Sequence, residues 1–463
     1  MKITLYGGVN EVGGNKILLD DGESRIFLDF GMSFFTKNKY YEDFLQPRRT
    51  NGIGDFLELK IIPELKGLYR KDLLEKTGKP YKEPEYDCVF LSHAHLDHCA
   101  HASFIDERIP IYCGETTKLY LEAISESSNR SMELEVLRFL RDNEEISRDV
   151  RTFRSFNKIK INDFEVKPVH VDHTMAGSYG FIIENGVKIA YTGDLRLSGP
   201  RKDMSEDFIK NAAGADVLIT EGTSLMEKGY ERAYPFEEGK VNSESEVEER
   251  CMERIEGHKG PVFVDLSFKD IDRVRTFFNI AKRCDRMLVV GTREACILKY
   301  LNMDKKLDAP ELKDVKVYMK KKKSGSYCES DYYSWEKEYM DGSWNAEDVR
   351  REQDRVLMVM SLYSISELID IKPQNGLYIH SRSLPFDDEQ EIDFRKLENW
   401  IAHFGLEQLH AHTSGHLHRD QLKEVIDTIN PGKVIPVHTS FQEDFKSICA
   451  GLTLPQVGKE ITV

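Results

Sequence analysis

Three histidines and an aspartate fall within one short stretch, His93-Ala94-His95-Leu96-Asp97-His98, directly after the apolar run Cys88-Val89-Phe90-Leu91-Ser92. Side chains alternate along a strand and rotate around a helix, so no regular element can point all four the same way. A tight loop at the strand end has to bring them together, and a divalent cation is the usual reason to do so. Zn²⁺ accepts imidazole nitrogen and carboxylate oxygen, and a site with ligand positions left open is catalytic rather than structural. The alternative is a surface histidine cluster without chemistry.

One loop cannot fill two sites, and further donors stand at other strand ends. His173 lies in Val171-Asp172-His173-Thr174, Asp194 in Thr192-Gly193-Asp194-Leu195, and His438 in Ile435-Pro436-Val437-His438. His170 competes with His173. Three residues apart in an extended segment, the two face opposite sides, so one alone can serve, and His173 is favoured. Taken singly each of these is an ordinary core or loop residue; their shared placement argues for convergence.

The chain has 463 residues, enough for two or three domains. No apolar run approaches the ~20 residues that span a bilayer, so no membrane partner is expected. The start, Met-Lys-Ile-Thr-Leu-Tyr-Gly-Gly, reads as a strand meeting a turn and not as a signal peptide. The eight cysteines contain no CxxC pair, against both a disulfide framework and a cysteine zinc ribbon. A cytoplasmic location is the expectation. The net charge of −15 excludes broad polyanion binding, so any nucleic-acid contact must be local. A metal-lined cleft supplies that locality, because cations outweigh nearby carboxylates where a phosphate docks.

Two hairpins are legible early: Lys16 to Leu19 turning at Asp21-Gly22 into Arg25 to Asp29, and Tyr179 to Ile183 turning at Asn185-Gly186 into Lys188 to Thr192. From Ser243 the pattern becomes alternating helices and strands. Ser243-x-x-Glu246 has the form of a capping box, followed by a strand from Pro261, a helix carrying Ile271, Val274, Phe278 and Ala281, and a strand over Met287 to Gly291. That is a βαβ unit of a doubly wound domain. The lysine run 320 to 323 reads as a solvated excursion. Within the long segment Ser33 to Tyr86, Arg48, Arg49, Arg70 and Lys71 read as solvated surface, with a substrate-facing role as the alternative. After Gly376 the first pattern returns, which divides the chain into 1–225, 226–375 and 376–463.

The His93-x-His95-x-Asp97-His98 signature, with the glycine-rich start Gly7 to Asn15, resembles the metallo-β-lactamase superfamily. His412-Thr413-Ser414-Gly415-His416, then Asp420-Gln421-Leu422-Lys423, then Pro436-Val437-His438, narrows the resemblance to the β-CASP nuclease branch and its ribonuclease J group. The resemblance implies an α/β fold, an αββα sandwich with an inserted doubly wound β-CASP domain. It implies two Zn²⁺ ions, Mn²⁺ suiting the same ligands: one held by His93, His95 and His173, the other by Asp97, His98 and His438, with Asp194 bridging. Glu221 matches the acidic motif that ends the first lactamase half, and His416 the histidine beside the leaving group. The implied activity is hydrolysis of RNA phosphodiester bonds, exo- or endonucleolytic, on single-stranded RNA. Nuclease action on DNA, or hydrolysis of a small thioester or lactone, are the alternatives, with a non-catalytic scaffold behind them. His412, Ser414 and Gly415 offer donors for a neighbouring phosphate, with a simple structural turn as the alternative, and Ser381-Arg382 matches the turn where the insert rejoins the lactamase domain. Two departures stand out. The group's usual His-Gly-Glu is here His438-Thr439-Ser440, and the sequence closes soon after His438, so the homodimer of the bacterial enzymes is left open.

Overall fold

The computed structural model describes all residues except 43, 129–130, 226–240 and 386–387. It separates into two compact units. The first takes in residues 1–197, the described residues from 201 to 225, and 415–463; the second takes in 198–200 and the described residues up to 414.

The first unit contains two mixed sheets. One orders the strands Glu460–Thr462, Lys2–Gly7, Lys16–Asp20, Arg25–Phe30, Cys88–Leu91, Ile111–Gly114 and Val150–Phe153. The other orders Lys433–Val437, Val217–Glu221, Lys188–Tyr191, Tyr179–Glu184, Phe164–His170 and Ile159–Ile161. Both expected hairpins are present as antiparallel pairs. Gly186 takes φ 67° at the tip of one and Gly22 φ 97° at the other, a left-handed conformation that glycine adopts without a Cβ penalty.

The period-two alternation of strands decides which residues go where. Ile3, Leu5, Ile17, Leu19, Ile26 and Leu28 of one sheet share a core with Phe181, Ile183, Ile219, Ile435 and Val437 of the other. The intervening Ile182, Leu218 and Val434 face away and bury against Phe208 and Ile209 of the helix Lys202–Ala212 and against Leu422, Val425, Ile426 and Ile429 of the helix Arg419–Ile429. Sheet upon sheet with helices outside is the layered sandwich that the resemblance implied.

The second unit is built on an all-parallel sheet, ordered Lys316–Tyr318, Met287–Gly291, Val356–Val359, Val262–Asp265, Leu377–His380 and Glu407–His410. Ser243 caps the helix Glu244–Ile255 by accepting from Glu246 N, and that helix buries Val247, Cys251 and Ile255. The expected doubly wound architecture is present, but its end is later than expected. Leu377–His380 pairs with Val262–Asp265, and Glu407–His410 pairs with Leu377–His380, so the return to the first unit comes at Gly415 and not at residue 376. An apolar strand followed by a helix reads the same in either unit, and only hydrogen-bond pairing assigns it. The other expected boundary, at 225/226, lies outside the described residues.

The basic residues of the early segment are occupied. Arg48 pairs with Asp55, Arg49 with Glu135, and Lys71 with Glu75. Arg70 is not surface at all: it is buried, paired with Asp72, and its guanidinium lies 3.3 Å from the Phe139 ring centroid. In the lysine run, Lys322 pairs with Glu336 and lies over Tyr332 and Tyr333.

Candidate metal centre

Cys88–Leu91 ends in a buried Ser92, and the chain then turns into the four-residue helix Leu96–Cys99. That sharp turn points His93, His95, Asp97 and His98 to one side. The glycine-rich start packs directly on it, with Gly14 N and Asn15 N donating to Asp97 O at 3.0 and 3.1 Å. A Cβ on Gly31 would stand 1.7 Å from Asp97 O, and one on Gly13 2.7 Å from Asp97 Cβ. The glycines therefore permit backbone to approach the loop that carries these four side chains.

Two adjoining donor groups result. In the first, His93 Nε2 lies 2.9 Å and His173 Nε2 3.2 Å from His95 Nδ1. In the second, His438 Nε2 lies 3.1 Å from Asp97 Oδ2, and His98 Nε2 lies 3.9 Å from the same oxygen. Asp194 Oδ2 stands between them, 3.8 Å from His93 Nε2 and His173 Nε2, 3.7 Å from His438 Nε2 and 3.1 Å from His98 Nε2. The competing His170 is elsewhere, stacked on Tyr179.

The surroundings of four of the imidazoles give each Nδ1 an acceptor. His173 Nδ1 donates to Gly415 O at 2.7 Å, and His98 Nδ1 to Asp29 Oδ2 at 2.8 Å. Ser92 Oγ gives its hydrogen to Asp29 Oδ2, so at 3.0 Å it accepts from His93 Nδ1. Thr223 Oγ1 gives its hydrogen to Glu221 Oε2 at 2.5 Å, so at 2.8 Å it accepts from His438 Nδ1. Four rings thus turn Nε2 toward Asp97 and Asp194. His438 and Asp29 hold φ of 55° and 56°, rare for residues with a Cβ and characteristic of positions that function over-determines.

Electrostatics fit a cation. Burial, reinforced by neighbouring imidazoles, pushes His93 and His173 well below the ordinary histidine range. Burial also opposes a charge on His98, but Asp194 and Asp29 outweigh it and raise that group. Burial works against the Asp194 anion as well, yet His438 and His98 hold its carboxyl well below the usual range. The carboxylates that would keep a proton on His98 would hold a metal ion in its place. Among the described residues, Asp194 Oδ1 is buried without a hydrogen-bond partner, as an atom reserved for a ligand would be.

Beside these groups, Asp194, Glu221 and His416 form a third cluster. Glu221 is buried; its Oε1 accepts from Leu195 N at 2.9 Å and its Oε2 from His416 Nδ1 at 2.8 Å. Burial disfavours the imidazolium of His416, but the Glu221 charge and hydrogen bond outweigh it and lift the pKa to about 9.

The residues expected to bind phosphate divide between the units. Gly415 lies in the first, where its carbonyl orients His173. Ser381, Arg382, His412 and Ser414 lie in the second. Ser381 Oγ donates to Ala411 O at 2.7 Å and accepts from Arg273 Nη1 at 2.6 Å; His412 Nε2 is 3.2 Å from Ser383 Oγ; Arg382 is 3.4 Å from Asp265. Ser381-Arg382 follows the strand Leu377–His380 and is not where the chain rejoins the first unit. Sequence reading passed over Asp29, Ser92, Thr223 and Arg273. Asp29, an acid closing the apolar strand Arg25–Phe30, carried a signal of the same kind as Asp194; the others carried none.

Comparison with known proteins agrees with this geometry. Residues 66–252 match the beta-lactamase superfamily domain, and residues 407–447 the Zn-dependent metallo-hydrolase RNA specificity domain. Ribonuclease J of Helicobacter pylori is 22% identical over 95% of this chain and 56% of its own length, so the chain spans little more than half of that relative. Ribonuclease J of Mycoplasma genitalium is 19% identical over 95% of this chain and 68% of its own, and Integrator complex subunit 11 of Danio rerio 23% over 48% and 34%. A crystal structure of a protein of unknown function from Enterococcus faecalis V583 superposes with a TM-score of 0.76, covering 100% of this chain and 99% of that one at 22% identity, a likeness of fold. The sandwich is the metallo-β-lactamase fold, and the chain resembles the β-CASP nucleases of that superfamily.

Proposed function

We propose that this chain is a metal-dependent ribonuclease that hydrolyses phosphodiester bonds of single-stranded RNA. The observation that carries the reading is the convergence of His93, His95, Asp97, His98, His173 and His438 into two donor groups around one oxygen of Asp194. Imidazole and carboxylate donors suit two Zn²⁺ ions, and Mn²⁺ fits the same set. When bound, such ions acidify water toward neutral pH and cancel charge on the phosphate oxygens.

The chain's own residues then have defined tasks. His93, His95 and His173 would hold one ion and Asp97, His98 and His438 the other, with Asp194 beside both donor groups. His416, protonated because Glu221 faces its Nδ1, gives a proton to the leaving 3′-oxygen, and Glu221 fixes the ring so that Nε2 does the giving. The layered core keeps these groups in place without substrate. A cytoplasmic setting fits the free cysteines at all eight positions, and among the described residues no helix is long and apolar enough to cross a membrane.

The test pairs His416→Ala with the unaltered protein on labelled single-stranded RNA, single-stranded DNA and a thioester panel. RNA turnover should fall ~10²- to 10⁴-fold in the variant while metal content stays constant. Zinc lost from the variant makes His416 a ligand. Preference for DNA or thioesters replaces the ribonuclease reading outright.

A further inference from the structure

Between residues 34 and 45, after the glycine-rich start that packs on the loop His93–His98, the chain exposes several aromatic rings. Phe34, Phe35, Tyr40 and Phe44 are 44, 59, 47 and 84% exposed, with Leu45 beside them. Among the described residues of the first unit, the only other aromatic ring exposed to this degree is Phe156. Apolar rings left in water favour burial, so this exposed surface calls for an occupant.

The patch begins at the candidate centre. Met32 N donates to Leu96 O at 2.9 Å, inside the ligand-bearing loop, and Ser33 Oγ donates to Glu11. Phe34 follows Met32 by two residues, so its backbone lies within about 7 Å of that contact. The base of the patch is fixed: Ser33 caps the helix Phe34–Asn38, and Lys37 Nζ reaches Glu133 at 2.6 Å in a largely buried pair. Lys39 Nζ stands over the Phe35 ring, 4.0 Å from its centroid.

We propose that Phe34, Phe35, Tyr40 and Phe44 form a stacking platform for the unpaired bases of a single-stranded nucleic acid whose backbone enters the metal centre, with Lys39 meeting a phosphate. The choice of occupant follows from chemistry. Flat rings accept the face of any base without reading its edges, a lysine alongside meets the phosphate between bases, and strands without sequence preference are held in this way. A five-residue helix anchored by a buried ion pair offers no amphipathic face for insertion into a lipid surface. The proposal rests on the ribonuclease reading above and adds to it where the strand lies.

The experiment uses the intact protein and a fluorescein-labelled 2′-O-methyl phosphorothioate oligoadenylate, which resists cleavage. Anisotropy should show affinity falling roughly 5- to 150-fold per ring removed in Phe34→Ala and Phe35→Ala. Phe35→Leu should lose as much as Phe35→Ala, because it keeps apolar surface and loses the face. Phe35→Trp should keep affinity, with its fluorescence quenched on binding. Hydrolysis of bis(p-nitrophenyl) phosphate, too small to reach the platform, should stay within about twofold of the unaltered protein in every variant. Unchanged affinity in the Phe34→Ala/Phe35→Ala double variant, tight binding by Phe35→Leu, or a change of sedimentation mass in the double variant each overturns the platform while the ribonuclease reading stands. An unaltered protein that neither binds this probe nor cleaves its unmodified RNA counterpart overturns both.

Discussion

Two buried histidine-bearing clusters, one in each unit, stand at the ends of strands and differ in what they leave over. In the first unit, Asp29, Ser92, Thr223 and Gly415 O each engage one nitrogen of an imidazole, and the opposite nitrogens face two carboxylates. Among the described residues, Asp194 Oδ1 ends without a partner. In the second unit, buried Arg273 sends Nε and Nη2 to Glu244 at 2.8 and 2.7 Å and Nη1 to Ser381, while His412 Nδ1 lies 3.4 Å from that Nη1. The protein there neutralises its own charge. A site built for a ligand keeps strong donors or acceptors unspent; a structural cluster uses them internally, and burial alone does not tell the two apart.

The contrast can be broken most severely at Asp194. Asp194→Ala should lower RNA turnover by at least ~10³-fold and deplete bound metal, read by elemental analysis and a cleavage assay. Full metal with near-normal turnover would remove the first cluster's claim to be a site. Next is Arg273→Ala, which strands Glu244 in the second unit: stability in urea should drop by about 3–5 kcal/mol while metal per chain is unchanged. A variant as stable as its parent would show that Arg273 awaits an external anion after all. Thr223→Val removes the acceptor of His438 Nδ1 and should weaken metal affinity about 10- to 100-fold in a chelator competition, with little change in melting temperature. The smallest effect concerns acid. Burial, then the Arg273 charge, depresses the pKa of His412 well below its ordinary value of 6.5. A depressed folded pKa contributes stability above the unfolded value, and that contribution is lost as pH falls below about 6.5. His412→Asn should therefore flatten the acid side of the second unit's unfolding profile; an unaltered profile would mean that the imidazole is already solvated.

Legibility followed the range of the interactions. The loop from His93 to His98 was readable because four donors in one stretch have no other geometric use, and His173, Asp194 and His438 were readable as strand-end residues. The hairpins at Asp21-Gly22 and Asn185-Gly186 were readable because their turn residues are local. The residues expected to bind phosphate were less so: His412 and Ser381 are held by Arg273, 108 residues from Ser381 along the chain, and nothing near either of them announces that partner. The late boundary at Gly415 was misplaced for the same reason, since Leu377–His380 joins its sheet through a strand more than a hundred residues earlier.

By itself the sequence determined the chemistry on offer: imidazole and carboxylate donors at strand ends, alternating apolar residues that make two-faced strands, and a second unit of helices and parallel strands. Those are properties of neighbouring residues and of periodicity. Tertiary structure alone decided which nitrogen of each imidazole faces inward, which carboxylate stands between the two donor groups, and which polar residues neutralise one another. Each of these is a hydrogen bond or charge contact whose energy depends on distances of a few ångströms between segments far apart in the chain.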